Sequence, residues 1–265
     1  MIRIMSFNIR YGSARDGSND WEHRKGLVVQ RILKFNPDML GIQECEDSSQ
    51  ASFLKSQLGA YDFLGVRRGG PDSNDLEMAP LFFKKSAFQL LDAGFFWLSD
   101  TPEIAGSKAW NSQLPRTVTW AKLKMIRRPV ICLFLNTHFD YAGLEAQVSS
   151  ASLVKKFIAR FDDQVPIVLT GDFNTAKDTA PYKILTEDGK GLVLKDAYRD
   201  QHPANSRSEG TLHGFGGLSE KPSIDWILVS KQFRTIQAGV DKFHINNIYP
   251  SDHFPVFAAV DSIDG

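Results

Sequence analysis

Short apolar runs of strand length recur along the whole chain, and many of them end at a polar side chain. The runs are residues 39–42, 80–83, 88–98, 118–123, 130–136, 165–170, 224–229 and 255–260. Each run is bounded by Gly, Pro, Asp or Asn, as expected of strands. Alternating apolar residues at the start of the chain predict one more strand, which ends at Asn8. A chain with so many short strands must build on β-sheets.

Three segments have the apolar spacing of a helix instead: Trp21–Phe35 and residues 47–58 and 144–161. They lie between strands in the first and middle parts of the chain, whereas strands cluster in hairpin-like groups elsewhere. That order predicts mixed sheets covered by helices. Since no repeat or linker marks a boundary, we expect residues 1–265 to form one compact α/β domain.

The charge balance gives the chain no general attraction to nucleic acid. Lys and Arg together number 31, Asp and Glu together number 31, and the formal net charge is zero, so binding to a polyanion would need a local basic patch. Apolar residues make up 42% and charged residues 23%, which excludes a disordered, collagen-like or coiled-coil chain. Basic pairs such as Arg67 and Arg68 are predicted to be solvated surface residues.

Cys45 and Cys132 are the two cysteines, and each lies in an apolar, strand-like context. They are too few for a disulfide scaffold, so we expect buried free thiols and a reducing compartment. No apolar run approaches the length that spans a membrane, and the first residues predict a strand rather than a signal peptide. We therefore expect a cytoplasmic protein that acts as a monomer without an obligate protein partner. A signal peptide that has already been removed stays open as the alternative to a cytoplasmic location.

The polar residues at the strand ends carry the functional signal. Singly, each has an ordinary structural explanation, because carboxylates cap helices and Asp and Asn are common in turns. In chain order the set is Asn8, Gln43-Glu44, Thr137-His138, Gly171-Asp172-Phe173-Asn174, Ile224-Asp225 and Ser251-Asp252-His253. Chance turn residues are not expected to place carboxylates, amides and imidazoles at the ends of successive strands.

These residues divide into a metal-binding and a catalytic group. The candidate metal ligands are Asn8, Glu44 and Asp252, and the candidate catalytic residues are His138, Asp172, Asn174, Asp225 and His253. Hard oxygen donors dominate the ligands, which favours Mg²⁺, with Mn²⁺ also possible. No closely spaced histidine pair or cysteine cluster forms a zinc motif.

Taken in order, the motifs resemble the endonuclease/exonuclease/phosphatase superfamily, whose members include deoxyribonuclease I, abasic-site endonucleases, neutral sphingomyelinases, inositol polyphosphate 5-phosphatases, deadenylases and tyrosyl-DNA phosphodiesterases. The resemblance extends from Asn8 to His253. It implies a deoxyribonuclease I-like fold, a four-layer α/β/β/α sandwich of two packed mixed β-sheets with outer helices and a site at one edge between the sheets. Residues 77–83, 96–102, 115–120 and 211–215 resemble small bacterial hydrolases of this superfamily that have no assigned substrate.

The residues suggest metal-assisted attack of water on phosphorus. Glu44, helped by Asn8 directly or through water, would hold Mg²⁺ against a phosphate oxygen, and Asp252 would support the metal or its waters. Asp172 would orient the attacking water or take its proton, and Asn174 would hold the phosphate or Asp172.

Two histidines complete the predicted mechanism. His253, fixed by Asp225, would donate to a phosphoryl oxygen, and His138 would protonate the leaving group or bind another phosphoryl oxygen. Which group is the acid and which the base stays open, because neighbouring groups titrate together. Arg116 is a candidate phosphate clamp or a surface ion pair, and Glu77 a candidate substrate ligand or a surface acid.

The substrate is the least determined property. Trp97 and Phe215 could line the mouth of the site, although ordinary packing explains either of them. Loops 67–75, 104–114 and 202–218 are predicted to select the substrate.

The predicted function is hydrolysis of a phosphodiester or phosphomonoester, on a small or single-stranded substrate rather than duplex DNA. A nuclease or tyrosyl-DNA-type phosphodiesterase on single-stranded nucleic acid and a sphingomyelinase-like lipid phosphodiesterase are the alternatives. A non-catalytic binding module is disfavoured because no main site position is broken. A serine hydrolase is disfavoured because the chain lacks a Gly-x-Ser-x-Gly elbow, and a cysteine hydrolase because the surroundings of Cys45, beside Glu44, disfavour a thiolate.

Overall fold

The computed structural model describes residues 1–187, 193–203 and 210–262. Its helices are α1 (Trp21–Phe35), α2 (Ser49–Gln57), α3 (Leu144–Ile158), α4 (Ala180–Thr186) and α5 (Ala197–Gln201), with a short 3₁₀ turn at Gly17–Asn19. Its strands are β1 (Ile2–Asn8), β2 (Met39–Gln43), β3 (Cys45–Glu46), β4 (Tyr61–Leu64), β5 (Glu77–Met78), β6 (Leu81–Lys84), β7 (Phe88–Trp97), β8 (Thr117–Met125), β9 (Ile131–His138), β10 (Ile167–Asp172), β11 (Leu194–Asp196), β12 (Asp225–Ser230), β13 (Phe233–Val240) and β14 (Val256–Ser262).

Two six-stranded mixed sheets form the body of the protein. The strand order is β13-β14-β1-β2-β6-β4 in the first sheet and β11-β12-β10-β9-β8-β7 in the second. Each sheet has a parallel pair near its centre, β1 with β2 and β9 with β10. A parallel pair needs a crossover connection, which α1 and α3 supply. Both strands of such a pair end at the same edge of the sheet, so each sheet presents two strand ends side by side.

Three apolar clusters separate four layers. The first cluster lies between the sheets and includes Ile4 and Phe83 from the first sheet and Phe134 and Val168 from the second. The second packs α3 and α4 against the outer face of the second sheet, and the third packs α1 and α2 against the outer face of the first. Removing this apolar surface from water is the main stabilising contribution. The predicted four-layer α/β/β/α sandwich is confirmed.

The two sheets approach closely at Gly41 of β2. A Cβ built there would lie 2.1 Å from Thr170 Oγ1 and 2.5 Å from Asn136 Oδ1, both in the second sheet. Asn136 spans the gap, because its Nδ2 donates to the Ile42 carbonyl and its Oδ1 accepts from Gln43 Nε2, each at 2.7 Å. Buried polar groups paired in this way restrict the sheets to one register. The contact lies just before the polar strand ends and holds them at a fixed spacing.

The predicted elements agree with the structure where the apolar spacing is strong. Helix α1 has the predicted bounds and ends at Phe35, because the next residue, Asn36, has a left-handed backbone with φ of 56°. Helix α2 begins at Ser49 because the Ser48 hydroxyl caps it, accepting from the Gln50 amide at 3.2 Å, and α3 ends at Ile158 rather than at residue 161. Several elements are not predicted by any sequence pattern, because they are short or, in β13, alternate polar residues at a sheet edge. They are β3, β4, β5, β11, β13, α4 and α5.

Cys45 and Cys132 are buried free thiols, as predicted. Burial raises the pKa of both, that of Cys132 to about 12. In the part of the chain that the structure describes, no helix combines the length and apolar character needed to cross a bilayer. Residues 204–209 of the predicted substrate-selecting loop 202–218 lie outside the described residues.

Candidate active site

The polar ends of three neighbouring strands lie in one row of the second sheet. Asp172 of β10 is paired with His138 of β9 on one side and with Asp225 of β12 on the other. Side chains of directly paired residues lie about 5 Å apart, and all three are buried. Strand register alone therefore brings these groups into contact.

Asn8, at the end of β1, connects the first sheet to this row. Its Nδ2 donates to Glu44 Oε1 and to Asp172 Oδ2, both at 2.9 Å. Its Oδ1 accepts from the Arg10 amide at 3.0 Å, so its NH₂ group faces the two carboxylates. Glu44 has a left-handed backbone with φ of 59°, and its Oε2 accepts from the Tyr11 amide at 3.2 Å. The turn after β2 thereby directs this carboxylate at the row.

His253 reaches the site from the loop before β14. Its Nδ1 is 2.9 Å from Asp225 Oδ2, and its Nε2 is 3.8 Å from Asp172 Oδ2. Burial would lower the pKa of His253, but the charge and hydrogen bond of Asp225, together with the charge of Asp172, outweigh burial and raise this pKa well above 6.5. The ring is therefore a cation at neutral pH, with Nδ1–H donated to Asp225 and Nε2–H directed at the cleft.

Asp172 is a buried carboxyl group with a raised pKa. Burial and the charge of Asp225 raise its pKa to about 7, although His253 and the Asn8 amide oppose the shift. The Asn174 backbone N–H also donates to its Oδ1 at 2.9 Å. A carboxyl group with a pKa near neutral can exchange a proton with water during a reaction.

His138 differs from His253 in charge. Its Nε2 is 2.9 Å from Asn174 Nδ2 and 3.5 Å from Asp172 Oδ2. The same Asn174 Nδ2 donates to the Phe139 carbonyl at 3.0 Å, so this NH₂ group also donates to the ring. Burial, and next the charge of Arg116, hold the pKa of His138 well below 6.5. The site therefore combines one neutral and one charged imidazole.

Carboxylates and imidazoles gather closely enough to hold a metal ion. Ligand atoms of Glu44, His138 and Asp172 all lie within 4.8 Å of one another, and so do those of Asp172, Asp225 and His253. His253 Nδ1 is committed to Asp225, so the first group is the more available. Its two carboxylates are hard oxygen donors, which suits Mg²⁺ or Mn²⁺.

Asp252, predicted as a metal ligand, interacts with Arg10 instead. Its Oδ1 accepts from the Ser251 hydroxyl at 3.1 Å, and its Oδ2 is 3.9 Å from Arg10 Nη1. The Arg10 guanidinium is itself held by two hydrogen bonds to Asp16, each 3.0 Å. Asp252 therefore adds negative charge near His253, outside the two groups of possible ligands found among the described residues.

A buried arginine ties together two segments that carry site residues. Arg24 of α1 is fully buried, and its guanidinium donates to the carbonyls of Ile9 and Arg10 after β1 and, at 3.0 Å, to that of Pro250. Burial lowers the pKa of Arg24 to about 10, so it remains charged. This side chain fixes the end of β1 relative to the loop of His253, and no sequence motif singled it out.

Arg116, predicted as a phosphate clamp, lies in the wall of the cleft. It is only 4% exposed, and its Nε and Nη1 have no hydrogen-bond partner among the described residues. Burial and the charge of Arg68 lower the pKa of Arg116, because an unneutralised buried cation is unfavourable. Arg68, by contrast, donates to both oxygens of Glu77 at 2.8 and 2.7 Å. Burial raises the pKa of Glu77 to about 7 despite Arg68.

These groups line a cleft of about 240 Å³. Its lining residues are Arg10, Tyr11, Glu44, Arg68, Glu77, Leu114, Arg116, His138, Tyr141, Asp172, Asn174 and His253. The prediction of a solvated basic pair is wrong for Arg68, which is buried, whereas Arg67 pairs with Asp47 near the surface. Tyr11 and Tyr141 lie a few residues beyond strand ends, and this position is the signal that could have found them. Arg68 and Leu114 belong to loops 67–75 and 104–114, which are predicted to select the substrate, although no pattern singled out these two residues within the loops.

Trp97 and Phe215, predicted at the mouth of the site, are not among the residues that line this cleft. Trp97 is buried behind the wall, where its indole N–H donates to the Arg68 carbonyl at 2.6 Å. The Phe215 ring lies 5.8 Å from the guanidinium carbon of Arg24. Both aromatic side chains therefore contact arginines that shape the site.

Comparison with known proteins agrees with this fold. The model of the Endonuclease/Exonuclease/phosphatase family matches residues 5–253. A mannosyl-6-phosphatase from Bacteroides thetaiotaomicron is 30% identical, with a TM-score of 0.88 over 98% of this chain and 100% of that chain. Nocturnin of Drosophila melanogaster is 28% identical over 75% of this chain, and the CCR4-Not complex 3'-5'-exoribonuclease subunit Ccr4 of Aspergillus niger is 22% identical over 90%. The chain spans 32% and 47% of these two proteins.

Proposed function

The chain belongs to the endonuclease/exonuclease/phosphatase family, and from this premise we propose that it is a metal-dependent hydrolase that cleaves a phosphate ester by attack of water on phosphorus. The observation that carries the proposal is the pair of hydrogen bonds from Asn8 to Glu44 and Asp172. They join strand ends of both sheets and place a candidate metal ligand beside a carboxyl group of near-neutral pKa. Such a combination is what metal-assisted hydrolysis requires.

Glu44 would hold the metal ion, beside His138 and Asp172, and Asn8 would orient the two carboxylates. A bound Mg²⁺ would supply positive charge to a phosphoryl oxygen and to the leaving oxygen. The hard oxygen donors of this group support Mg²⁺. Asp252 would act through its charge, from its position beside Arg10.

Asp172 would orient the attacking water and take its proton, because its raised pKa makes it a base that is effective near neutral pH. The Asn174 backbone N–H would keep its carboxyl group in place. His253, held by Asp225, would donate its Nε2–H to a phosphoryl oxygen, where its positive charge offsets the charge that develops during the reaction. His138 is predicted to protonate the leaving group or to bind a phosphoryl oxygen. Because its ring is neutral and its Nε2 accepts from Asn174, it would instead hold the Asn174 side chain in the cleft.

Arg116 would bind the phosphate group of the substrate. Its buried Nε and Nη1 are donors without a partner among the described residues, and a guanidinium matches two phosphate oxygens at once. An anion bound there would offset the cost of burying this charge. Arg68, neutralised by Glu77, would support the phosphate site from behind.

We assign the substrate to small phosphate monoesters. The mannosyl-6-phosphatase supports this assignment, since the similarity covers 100% of that chain. The cleft of about 240 Å³ is smaller than the range of about 300–1,000 Å³ that is usual for drug-sized ligands, which favours a small substrate. A monoester carries about two negative charges at neutral pH, which Arg116 and protonated His253 can balance.

Cleavage of single-stranded nucleic acid is the second candidate. The similarity to the exoribonuclease subunit Ccr4, over 90% of this chain, favours it. A nucleic-acid site would need aromatic and basic side chains along the strand, and Arg10 and Tyr11 are the neighbouring pair that the cleft supplies. The zero net charge gives this candidate less support than the first.

The test is hydrolysis by the purified protein with Mg²⁺ or with a chelator. The panel is p-nitrophenyl phosphate, bis-p-nitrophenyl phosphate, single-stranded RNA and DNA, and sphingomyelin. We expect Mg²⁺-dependent release from the monoester, and at least about a hundredfold loss in Asp172→Asn and in His253→Ala without loss of the fold. Exposed His23→Ala and Asp62→Asn are matched controls. Normal turnover by a folded His253→Ala variant would remove that residue from the mechanism, and absence of any Mg²⁺-dependent hydrolysis would refute the proposed function.

Location and assembly are part of the same proposal. The two buried free thiols support a reducing, cytoplasmic compartment, and we propose that the protein acts as a monomer. Cell fractionation and light scattering of the purified protein test these two points.

A further inference from the structure

The outer part of the cleft is lined by side chains that the proposed reaction does not use. Tyr11 follows β1 of the first sheet, whereas Leu114 precedes β8 and Tyr141 follows β9, both in the second sheet. Apolar side chains therefore flank the polar floor of the cleft on its two sides. Binding sites for small molecules commonly have this composition, with apolar and aromatic walls around a few polar groups.

The wall formed by Leu114 and Tyr141 is held in place by one buried carboxylate. Asp140 is 1% exposed. Its Oδ2 accepts from the amides of Gln113 and Leu114 at 2.9 and 3.3 Å, and its Oδ1 accepts from the amides of Ala142 and Gly143 at 3.0 and 3.2 Å. The two loop segments are thus pinned to each other, so this wall is preorganised rather than mobile.

The opposite wall is also fixed. The Tyr11 amide donates to Glu44 Oε2, and the Arg10 guanidinium carbon lies 4.7 Å from the centre of the Tyr11 ring. Arg10 is itself held by Asp16. The ring is therefore positioned by the same contacts that hold the candidate metal ligand.

Tyr141 lines the cleft and keeps most of its surface open to solvent. It is 59% exposed, and its near neighbour Leu144 is 62% exposed. Because Tyr141 lines the cleft, a ligand bound there would remove part of its ring surface from water.

We infer that Tyr11, Leu114 and Tyr141 bind the alcohol part of the substrate, and that this part is a ring bearing hydroxyl groups and an apolar face. Pyranoses and nucleosides share this chemistry. Aromatic rings pack against such a face, and a phenol can exchange hydrogen bonds with a hydroxyl group. The inference rests on the proposed function, because it takes the phosphate to lie at Arg116 and His253.

The test compares ring and ring-free phosphate monoesters. The probes are a hexose 6-phosphate, a nucleoside 5′-monophosphate and the acyclic glycerol 3-phosphate, and the readout is the ratio of kcat/KM between each ring substrate and glycerol 3-phosphate. We expect the wild type to favour a ring substrate, and Tyr141→Ala and Tyr11→Ala each to lower that ratio about tenfold, chiefly through KM. Ile236→Ala, an exposed apolar residue on β13, is the matched control and should keep the ratio. The substrate with the higher kcat/KM, the hexose 6-phosphate or the nucleoside 5′-monophosphate, shows whether the bound ring is a pyranose or a nucleoside.

A second readout separates this inference from the proposed function. The ring signals of Tyr11 and Tyr141 are followed by NMR while hexose 6-phosphate, nucleoside 5′-monophosphate or inorganic phosphate is added. Larger shifts with a ring phosphate than with inorganic phosphate support the site even in a protein without hydrolytic activity. The inference is overturned if the wild type prefers glycerol 3-phosphate, if both tyrosine variants keep the wild-type ratio, or if inorganic phosphate alone reproduces the shifts.

Discussion

Asn8 and Asp172 are joined by a buried hydrogen bond of 2.9 Å, although 164 residues separate them and they belong to different sheets. The same amide donates to Glu44, so one side chain holds two carboxylates that would otherwise repel each other. The geometry of the candidate site therefore depends directly on the spacing between the sheets.

Removing the Asn8 amide should disrupt the site. Asn8→Leu keeps a similar volume but leaves Glu44 and Asp172 without their shared donor, and we expect turnover to fall about a hundredfold. Stability should fall by about 1–3 kcal/mol, because buried acceptors lose their partner. Enzyme assays and urea unfolding measure the two effects, and exposed Gln57→Leu is the control. Turnover unchanged in Asn8→Leu would show that this bridge is dispensable.

Asp225 should govern the charge of His253. In Asp225→Asn the ring loses the carboxylate whose charge and hydrogen bond raise its pKa. We therefore expect the pKa of His253 to drop, so that the ring becomes neutral at a pH where the wild-type ring is charged, and turnover to fall about a hundredfold or more. NMR titration of the His253 ring measures the first effect. A ring that still carries its charge at neutral pH in the variant would contradict this assignment.

Arg24 should affect turnover although it does not line the cleft. Arg24→Met removes the donors to Arg10 and Pro250, and we expect kcat to fall at least about tenfold as the two segments lose their register. Added guanidinium ion at low millimolar concentration should restore part of the activity, because it can occupy the cavity and donate to the same carbonyls. Arg31→Met, which removes a peripheral ion pair with Asp241, should show neither effect.

Gly41 should tolerate no side chain. Gly41→Ala would place a Cβ against Thr170 and Asn136, and overpacking of this kind costs about 1–3 kcal/mol or more. Gly26 of α1 is the matched control, because a Cβ there meets nothing within 4 Å, and Gly26→Ala should stabilise the protein by about 0.5–1 kcal/mol. Urea midpoints measure both changes. Equal midpoints for the two variants would rule out close contact of the sheets at Gly41.

The ionisation of Asp140 should make part of the free energy of unfolding depend on pH. Burial would raise its pKa, but hydrogen bonds from Ala142 and Leu114 and the charge of Arg116 outweigh burial and lower it. A carboxyl group with a lowered folded pKa stabilises the fold above its unfolded pKa of about 3.9, and the contribution disappears as the pH falls through the folded value. Asp140→Asn should therefore be less stable than the wild type at pH 7, by about 2 kcal/mol, with a smaller difference at acid pH.

Urea unfolding of Asp140→Asn between pH 2 and pH 7 tests this sign, with exposed Asp62→Asn as the control for a carboxylate outside the cleft. A stability difference that grows as the pH falls would contradict the assignment.

The sequence predicts the fold well because each central strand ends in a recognisable way. His138 and Asp172 each end an apolar run, and Asp225 begins one. These are local patterns, and strand pairing converts them into one row. Short sequence patterns do not predict which side chain forms a hydrogen bond or ion pair with each of these site residues. That Asn8 would present its NH₂ group to two carboxylates, and that Asp252 would pair with Arg10, depends on turns after β1 and before β14 whose conformation no short pattern specifies.

The residues that sequence reasoning missed act through long-range contacts. Arg24 has the appearance of an ordinary helix residue, and only the folded chain brings Pro250 to it. Arg68 belongs to a basic pair typical of a surface, yet the loop buries it against Glu77. Trp97 could either line the mouth of the site or serve in ordinary packing, and in the structure it is buried and donates to the Arg68 carbonyl.

The separation between strand ends and loops has an evolutionary consequence. The row of His138, Asp172 and Asp225 is set by backbone pairing inside the second sheet, whereas the tyrosines and the leucine of the cleft walls come from segments that connect strands. Insertions or replacements in those connections can alter which molecule is accepted without disturbing the strand register. A lineage built on this scaffold can therefore diversify its metabolic targets while inheriting its chemistry intact.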